Sequence, residues 1–527
     1  MRLRGRGPRA AGAAPPGRNP FVHELRLSAR RRPRWVALMT LTLFPVRLLL
    51  AACMMLLAWP LALVASLGTE DQEPEQPLAL WRKVVDALLR ALMRTMWFMG
   101  GFYHVSVKGR QALPSEAAIL TLAPHSSYFD AIPVTMTMSS IVMKAESRDI
   151  PIWGTLMRYI RPVLVSRSDQ SSRRRTVEEI RRRALSRGRW PQIMIFPEGT
   201  CTNRTCLISF KPGAFIPGVA VQPVVLRYPN KLDTITWTWQ GPSALAILWL
   251  TLCQPYSRLE IEFLPVYHPS AEEKQDPALF ARNVRRVMAE ALGVSVTDYT
   301  FEDCQLALAE GQLRLPADTC LLEFARLVRG LGLKPEQLEQ QLDEHCERAR
   351  RRGPARLSLE EFASQLDLPV SEPLRDLFSL FDEHGDGDVD LREYVVALSV
   401  VCRPSRPLDT IQLAFKMYGR QEDGSIDEEA LSTILKTALG VAELPVTRLF
   451  RAIDEEAQGR VTFDDFARFA EMHPDFAEEY LHPAQQHFES SSQTPPSVPT
   501  PNGFCADFSP ENSDAGVRGQ PLSKKLD

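Results

Sequence analysis

Short apolar runs alternate with helical patterns between about residues 105 and 270. Such runs, bounded by amphipathic stretches and turns, are typical of buried strands. Their alternation with helices favours an α/β domain with a mostly covered sheet, which we predict over residues 105–300. The apolar runs lie near 118–122, 141–145, 163–166, 192–196, 221–227 and 259–266.

A long apolar stretch, residues 35–67, precedes this domain. Its window 48–67 contains 20 residues without a charge, which is enough to span a bilayer. We therefore predict that residues 35–67 anchor the chain in a membrane. A re-entrant hairpin bent at Pro45 or Pro60, with both ends on one side, is the alternative.

The segments on either side of this anchor are predicted to face the membrane surface. Residues 1–34 carry ten Arg against one acid, Glu24, and are rich in Pro, Gly and Ala. Such a segment cannot bury a core, so we predict a disordered basic tail. The apolar stretch that follows favours a membrane over nucleic acid as its partner. Residues 78–104 have the pattern of an amphipathic helix, which fits the bilayer interface or a packed core.

Two signals on membrane orientation disagree. The Arg-rich N-terminus, beside acidic residues at 70–75, is predicted to be cytosolic, so a single span would place the rest in the lumen. The C-terminal Lys524-Lys525 fits a dilysine retrieval signal, which cytosolic retrieval machinery reads. Both signals indicate the endoplasmic reticulum membrane, with Golgi and lipid-droplet surfaces open as further locations.

His125 and Asp130 follow the apolar run at 118–122, and Pro133 comes soon after. Because proline is tolerated mainly in the first helical turn, a helix is predicted to start near Asp130, with His125 on the preceding loop. A carboxylate bound to one imidazole nitrogen fixes the tautomer, and the other nitrogen can then accept a proton from an alcohol. The alternative is that Asp130 merely caps the helix.

Four further blocks follow this pair in order. They are 160–167, Phe196-Pro197-Glu198-Gly199-Thr200, Phe210-Lys211-Pro212-Gly213 and 221–225. With the His125-x4-Asp130 spacing, this set resembles the HxxxxD-type glycerolipid acyltransferases. The resemblance implies transfer of an acyl group from acyl-CoA to the free sn-2 hydroxyl of a lysophospholipid, lysophosphatidylcholine above all.

The resemblance also implies roles for individual residues. His125 would remove the hydroxyl proton and Asp130 would orient the imidazole. The residues expected to position the glycerophosphate of the acceptor are Arg167, Pro197, Glu198, Gly199 and Thr200, with Lys211 as a helper.

Other functions stay open at the sequence level. Acetyl-CoA as donor and alkyl lysophospholipids as acceptors are extensions within the subfamily. Lysophosphatidic acid or other lysophospholipids could replace lysophosphatidylcholine as the acceptor. In a different class of function, the chain would be a membrane-tethered calcium sensor with an inactive acyltransferase scaffold. Retention of His125, Asp130 and Glu198 argues against that scaffold.

A calcium-binding loop is predicted in the C-terminal half of the chain, where residues 370–480 form an all-α EF-hand domain. The twelve residues from 382 to 393 have oxygen ligands at positions 1, 5, 7, 9 and 12, glycine at 6 and an apolar residue at 8. His384 at position 3 departs from the pattern, because imidazole is a poor calcium ligand. The predicted ligands are Asp382, Asp386, Asp388, Asp390 and Glu393.

Degenerate repeats of this unit flank the loop. The loop 419–430 lacks ligands at its first and last positions, whereas 454–465 keeps some of them and is a weak candidate. A unit near 357–362, within a helical connector over 301–369, resembles a degenerate first hand that completes a pair. The Ser/Pro-rich tail 484–527 is predicted to be disordered.

Overall fold

The computed structural model describes residues 19–23, 25, 32–66, 79–145, 147, 150, 152–165, 170–238, 241–307, 313, 315–316, 318–333, 335–382 and 385–481. Three helices come first, an α/β domain follows, and the C-terminal part is helical. This order confirms the predicted fold class. The predicted tail from residue 484, with Lys524 and Lys525, lies outside the described residues.

The N-terminal helices pack on one another and on the α/β domain. Among the described residues, α2 is the helix long and apolar enough to cross a membrane, judged by length and composition. Its Ala58 and Ala62 are nevertheless fully buried against the domain. The helix α3 buries Leu89 on the same side and leaves Trp81 exposed on its other side. The bounds are α1 (Arg32–Leu41), α2 (Leu43–Ser66) and α3 (Leu80–Met99).

The α/β domain is built on a seven-stranded sheet in the order β1-β8-β7-β2-β5-β3-β4. Its pairs are parallel except for the antiparallel pair of β7 and β8. The short strands β6 and β9 pair separately. The strands are β1 (His104–Lys108), β2 (Ile119–Ala123), β3 (Ser140–Lys144), β4 (Val163–Val165), β5 (Ile193–Ile195), β6 (Cys206–Leu207), β7 (Val221–Arg227), β8 (Arg258–Phe263) and β9 (Ser295–Val296).

Helices cover both faces of this sheet. Because strand side chains alternate, Leu120 and Leu122 of β2 pack with α2–α5 and α7, whereas Ile119 and Ala123 pack with α6 and α9. All six predicted apolar runs contain a strand. The half-exposed β1 was not predicted, because it lacks a buried run. The helices are α4 (Ile132–Thr137), α5 (Trp153–Tyr159), α6 (Gln170–Ala184), α7 (Ala244–Leu252), α8 (Ala271–Gln275) and α9 (Pro277–Leu292).

A short N-terminal segment, residues 19–23, packs against the body of the protein. Phe21 is buried and lies edge-on to Tyr299 at 6.1 Å. The Asn203 amide donates to the carbonyls of Asn19 and Val22, each at 2.9 Å. The structure therefore differs from the predicted disordered tail over 1–34 at this segment, because one aromatic side chain finds an apolar site there.

The C-terminal part contains two pairs of EF-hand units. The strand β10 (Arg356–Leu357) pairs antiparallel with β11 (Val389–Asp390), so the unit near 357 is the partner of the loop 382–393. Ile426 bridges to Val461 in the second pair. The helices are α10 (Phe301–Ala307), α11 (Leu321–Gly330), α12 (Pro335–Arg352), α13 (Leu359–Gln365), α14 (Glu372–Ser379), α15 (Leu391–Cys402), α16 (Pro407–Tyr418), α17 (Glu428–Leu439), α18 (Thr447–Ile453) and α19 (Phe463–Met472).

Candidate active site

The loop that carries His125 leaves the carboxyl end of β2 and enters a short helical turn. Ser127 caps the 3-10 turn Tyr128–Ala131, which leads directly into α4. The Ser127 hydroxyl accepts the Phe129 N–H, and the Asp130 carboxylate accepts the Ser127 N–H. Together these two bonds form a capping box. The helical turn thus starts at Tyr128, five residues before Pro133 and two before the predicted start near Asp130.

His125 and Asp130 form a buried pair. The distance from His125 Nδ1 to Asp130 Oδ2 is 2.9 Å, and their side chains are 3% and 0% exposed. Asp130 Oδ2 also accepts the N–H groups of Ser126 at 2.6 Å and Ser127 at 3.0 Å. Asp130 therefore supplies the N3 carboxylate of the capping box, with Ser127 as the N-cap residue, and contacts His125 with the same carboxylate.

The Asp130 carboxylate is held in its ionised form. Burial by itself raises the pKa of an acid, but hydrogen bonds from His125, the Ser126 N–H and the Tyr228 hydroxyl outweigh it and lower the pKa of Asp130. Ionised Asp130 can accept only, so the His125 nitrogen facing it carries the proton. That tautomer leaves Nε2 of His125 unprotonated, which is the state that base chemistry requires.

Glu198 lies directly behind the His125 loop. Its Oε2 accepts the backbone N–H of His125 at 2.7 Å, and its Oε1 accepts the Ile208 N–H at 3.4 Å. The side chain is fully buried, and this burial raises the pKa of Glu198 to about 7 despite those bonds. The structure thus places Glu198 where it fixes the histidine loop.

Four of the other predicted substrate-binding residues, Pro197, Gly199, Thr200 and Lys211, lie close to Glu198. Thr200 is buried with its hydroxyl 3.2 Å from the Cys304 sulfur. Gly199 has φ +74°, and a Cβ there would lie 3.0 Å from Lys211 Cε, so glycine lets Lys211 pass close to the backbone.

Lys211 also contacts the C-terminal part of the chain. Its Nζ lies 3.7 Å from the ring centre of Phe301, and its backbone N–H donates to the Pro197 carbonyl at 2.7 Å. The side chain is 9% exposed. Arg167, the remaining predicted residue, lies outside the described residues.

Three residues that the sequence analysis missed complete the network around Asp130. The Tyr228 hydroxyl donates to Asp130 Oδ1 at 2.6 Å. Arg204 donates to the Ser126 hydroxyl at 3.1 Å and to Asp233 at 2.6 Å, and its guanidinium lies 5.1 Å from the Tyr228 ring centre. Tyr228 directly follows β7, a central strand next to β2. This position was the one feature of the sequence that could have indicated a residue near the site.

An apolar cavity of about 560 Å³ opens beside the His125 loop. It lies between α2, α3, α5 and α7, and two residues of the motif, Tyr128 and Phe129, form part of its wall. Its remaining wall includes Met55, Met96 and Trp153. Its size and lining are those of a site for a mostly apolar ligand.

The predicted calcium loop has the backbone of an EF-hand. Asp382 Oδ1 accepts the Gly385 N–H at 2.6 Å, and Gly387 at position 6 has φ +85°. Oxygen donors at positions 1, 5, 7, 9 and 12 fit calcium. Within the part of the chain that the structure describes, however, no three His, Cys, Asp or Glu side chains converge as a metal site. His384 lies outside the described residues.

Two family models match the chain. The acyltransferase family model matches residues 104–227, which hold the His125–Asp130 pair, Glu198 and Lys211. A model of an EF-hand domain pair matches residues 422–473, the second of the two pairs described above.

Curated relatives match along nearly the whole chain. Lysophosphatidylcholine acyltransferase 1 of Homo sapiens is 78% identical over 100% of both chains. The protein of the same name from Danio rerio is 64% identical over 94% of both chains. Lysophosphatidylcholine acyltransferase 2 of Homo sapiens is 48% identical over 88% of this chain and 85% of its own length. The chain therefore belongs to the lysophosphatidylcholine acyltransferase family.

Proposed function

We propose that this chain transfers an acyl group from acyl-CoA to the sn-2 hydroxyl of lysophosphatidylcholine, with His125 as general base. The observation that carries this proposal is the buried contact of 2.9 Å between His125 Nδ1 and Asp130 Oδ2 at the carboxyl end of a central strand. Open α/β sheets bind their ligands at this edge. The names of the relatives supply the acceptor.

The reaction needs one proton acceptor and no covalent acyl-enzyme. His125 Nε2 takes the hydroxyl proton as the lipid oxygen attacks the thioester carbonyl, and Asp130 stabilises the imidazolium that forms. The tetrahedral intermediate collapses, the carbon–sulfur bond breaks, and the imidazolium returns its proton to the CoA thiolate. Base catalysis of this kind contributes about 10²–10⁴-fold, and orientation of the two substrates contributes the remainder.

The residues around Glu198 would hold the acceptor and the loop together. Arg167 and Lys211 supply the positive charge that a glycerophosphate needs, and Pro197, Gly199 and Thr200 shape the site beside them. The bond from Glu198 to the His125 N–H supports a role for Glu198 in fixing the base relative to the acceptor. Together, these residues would form the glycerophosphate site.

The apolar cavity beside Tyr128 and Phe129 would take an acyl chain. Its wall is almost entirely aliphatic and aromatic, and the motif residues in that wall lie within five positions of His125. A chain seated there would bring its carboxyl end toward the base. Because α2 forms one wall, the membrane-facing helix and the acyl site would be one structure.

The way α2 is held supports a re-entrant or interfacial placement over a full crossing. Arg47 is buried and donates to the carbonyls of Leu252 at 2.9 Å and Pro255 at 2.8 Å. Trp59, twelve positions later and about 18 Å along the helix, donates to Thr155 at 3.3 Å. Both points touch the same domain, so α2 would lie along it and enter one leaflet.

A one-sided placement would reconcile the two orientation signals. The basic N-terminus and Lys524-Lys525 would then both face the cytosol, where the retrieval machinery of the endoplasmic reticulum acts. Protease protection of N- and C-terminal tags in sealed microsomes tests this. Digestion of both tags from outside is expected, and protection of one tag alone would contradict it.

Calcium would bind the loop 382–393 through the side chains of Asp382, Asp386, Asp390 and Glu393 and the carbonyl of Asp388. When bound, it would stiffen the first pair of EF-hand units.

A single assay separates the proposed reaction from its rivals. CoA release from palmitoyl-CoA would be measured with lysophosphatidylcholine, lysophosphatidic acid and glycerol 3-phosphate as acceptors, for wild type, His125→Ala and the exposed control His104→Ala. We expect lysophosphatidylcholine to be preferred and His125→Ala to lose at least about 10²-fold. Near wild-type turnover by His125→Ala would overturn the mechanism. An inactive wild type would indicate the scaffold, and preference for another acceptor would correct the substrate.

A further inference from the structure

We infer that Arg356 competes with calcium for the loop 382–393 and sets the concentration at which that loop fills. This inference rests on the proposal that the loop binds calcium. It comes from the contacts that the guanidinium makes in the structure. These contacts use the oxygen atoms that an EF-hand gives to its ion.

The two hydrogen bonds of Arg356 end on two successive ligand positions. Its Nη1 donates to Asp386 Oδ2 at 2.7 Å, and its Nη2 donates to the Asp388 carbonyl at 2.8 Å. Asp386 is position 5 of the loop, which ligates through its carboxylate, and Asp388 is position 7, which ligates through its backbone carbonyl. One positively charged arginine therefore bridges two oxygen atoms that are predicted to ligate calcium.

The pairing of the two loops puts Arg356 in this place. In the short sheet, Leu357 lies opposite Val389 and Arg356 lies opposite Asp390. The side chain of Arg356 can thus extend over the loop from the partner unit, and it belongs to the degenerate hand that has no calcium loop of its own. A guanidinium presents its donors as a rigid fork, which matches a carboxylate and a neighbouring carbonyl.

A second arginine holds another predicted ligand. Arg392 donates to Asp390 Oδ2 at 2.7 Å, and Asp390 is position 9. This pair lies within one strand–helix junction, where Asp390 also caps α15. Position 9 often binds calcium through a water, so this bond can persist beside an ion. The bonds of Arg356 fall on direct ligands and cannot.

Calcium therefore has to displace the guanidinium before positions 5 and 7 can close around the ion. The side chains of Arg356 and Asp386 are 43% and 41% exposed, so this displacement moves a partly solvated group and leaves the core intact. Two of the predicted ligands, Asp386 and Asp390, bond to arginines in the structure. Loss of the competitor should tighten calcium binding.

The test is a calcium titration of the full-length protein in detergent, in which isothermal calorimetry measures the Kd. For Arg356→Gln we expect a Kd about 3- to 10-fold lower than that of wild type, because a partly exposed ion pair and one further hydrogen bond no longer compete. Arg356→Lys should fall between the two, since an ammonium keeps the charge but loses the fork.

Arg352→Gln is the matched control, because it removes the same charge from the same unit. Arg352 contacts Glu361 at 3.5 Å, away from the predicted calcium ligands. A Kd for Arg356→Gln equal to that for Arg352→Gln would overturn the inference. Glu393→Gln identifies the loop: if calcium binding by wild type and Arg356→Gln survives this change, the ion lies elsewhere and the calcium proposal fails together with the inference.

Discussion

At the scale of single residues, the candidate site depends on donors that keep one carboxylate charged inside the protein. Asp130 accepts bonds from a ring nitrogen, two backbone N–H groups and the Tyr228 hydroxyl. Glu198 shows the opposite balance, because its two backbone donors do not offset burial. Two acids only a few ångströms from the same histidine loop therefore titrate in different ranges.

Tyr228→Phe removes one donor to Asp130 without changing the shape of the side chain. The pKa of Asp130 then rises, so the carboxylate is neutralised at a higher pH and the acidic limb of the kcat/KM profile shifts upward. We expect kcat to fall about tenfold, the typical weight of a hydrogen bond to a charged group. The measurement is a pH profile of CoA release.

Tyr267→Phe is the control for this change, because the Tyr267 hydroxyl also donates to a carboxylate, Glu273, at 2.7 Å. It should leave the pH profile unchanged. An unshifted profile for Tyr228→Phe would remove Tyr228 from the network that orients the base.

Glu198→Gln tests the raised pKa of the buried glutamate. The folded-state pKa of about 7 exceeds the ordinary value of 4.5, so the contribution of Glu198 to stability is complete below about pH 4.5 and is lost as pH rises through 7. Relative to wild type, the Gln variant should gain up to about 3 kcal/mol between pH 5 and pH 8. Unfolding by denaturant at both pH values measures it.

Glu273→Gln provides the opposite case. Burial raises the pKa of Glu273, but bonds from Ser270, Asn283 and Tyr267 outweigh it and lower the pKa. Its contribution is therefore present above the ordinary pKa and is lost as pH falls. The same pH trend in both variants would show that folding lowers the pKa of Glu198, which contradicts the raised pKa.

At the scale of elements, α2 is an apolar helix that is bound to the α/β domain through hydrogen bonds of one arginine. Its sequence fits a membrane span, yet Arg47 lies buried within it and bonds to carbonyls at the end of α7 and to the Tyr103 hydroxyl. A buried arginine without such acceptors would be strongly unfavourable. Arg47 therefore ties the N-terminal part of α2, which forms one wall of the cavity, to the α/β domain.

Arg47→Leu should release this end of α2. The carbonyls of Leu252, Gln254 and Pro255 and the Tyr103 hydroxyl lose their donor. We therefore expect a loss of about 3 kcal/mol in the free energy of unfolding. Cleavage between α2 and α3 in limited proteolysis should also become faster. Arg90→Leu is the control, because Arg90 is 46% exposed, its ion pair with Asp86 lies within its own helix, and its contact with the Met136 carbonyl is long, at 3.5 Å. Equal effects of the two variants would contradict the anchoring role.

At the scale of the whole molecule, α10 joins the candidate active site to the EF-hand domain. Phe301 of this helix lies under Lys211, Cys304 contacts Thr200, and Asp303 forms an ion pair with Arg329 of α11. Asp303 is 1% exposed, and its burial raises its pKa despite the bonds from Arg329. The two domains thus share one short helix and one buried charge.

Arg329→Met should weaken this junction by about 2 kcal/mol, because it leaves Asp303 buried without its partner. Thermal unfolding in detergent measures the loss. Arg326→Met is the control: Arg326 pairs with Glu323 on the surface of the same helix, and its loss should cost less than about 1 kcal/mol. If both variants unfold alike, Asp303 does not depend on Arg329.

What the sequence allowed us to predict was local. The motif residues His125, Asp130 and Glu198 could be placed just after the carboxyl ends of strands, because apolar runs, a proline and capping residues extend over only a few positions. The unit near 357 was predicted to complete a pair because it resembles a degenerate first hand, and the structure pairs it with the loop 382–393. The acyltransferase family followed from ordered motifs, and the full-length relatives confirm it.

The sequence by itself determined the α/β and EF-hand classes, the family and the His125–Asp130 pair, because each depends on the residues within one or several short motifs. Only the tertiary structure decided which distant groups meet. Tyr228 reaches Asp130 across 98 positions, Phe21 packs on Tyr299, and Arg356 crosses between loops to Asp386. Such contacts depend on how strands and helices pack in three dimensions, and no short stretch of sequence records that packing.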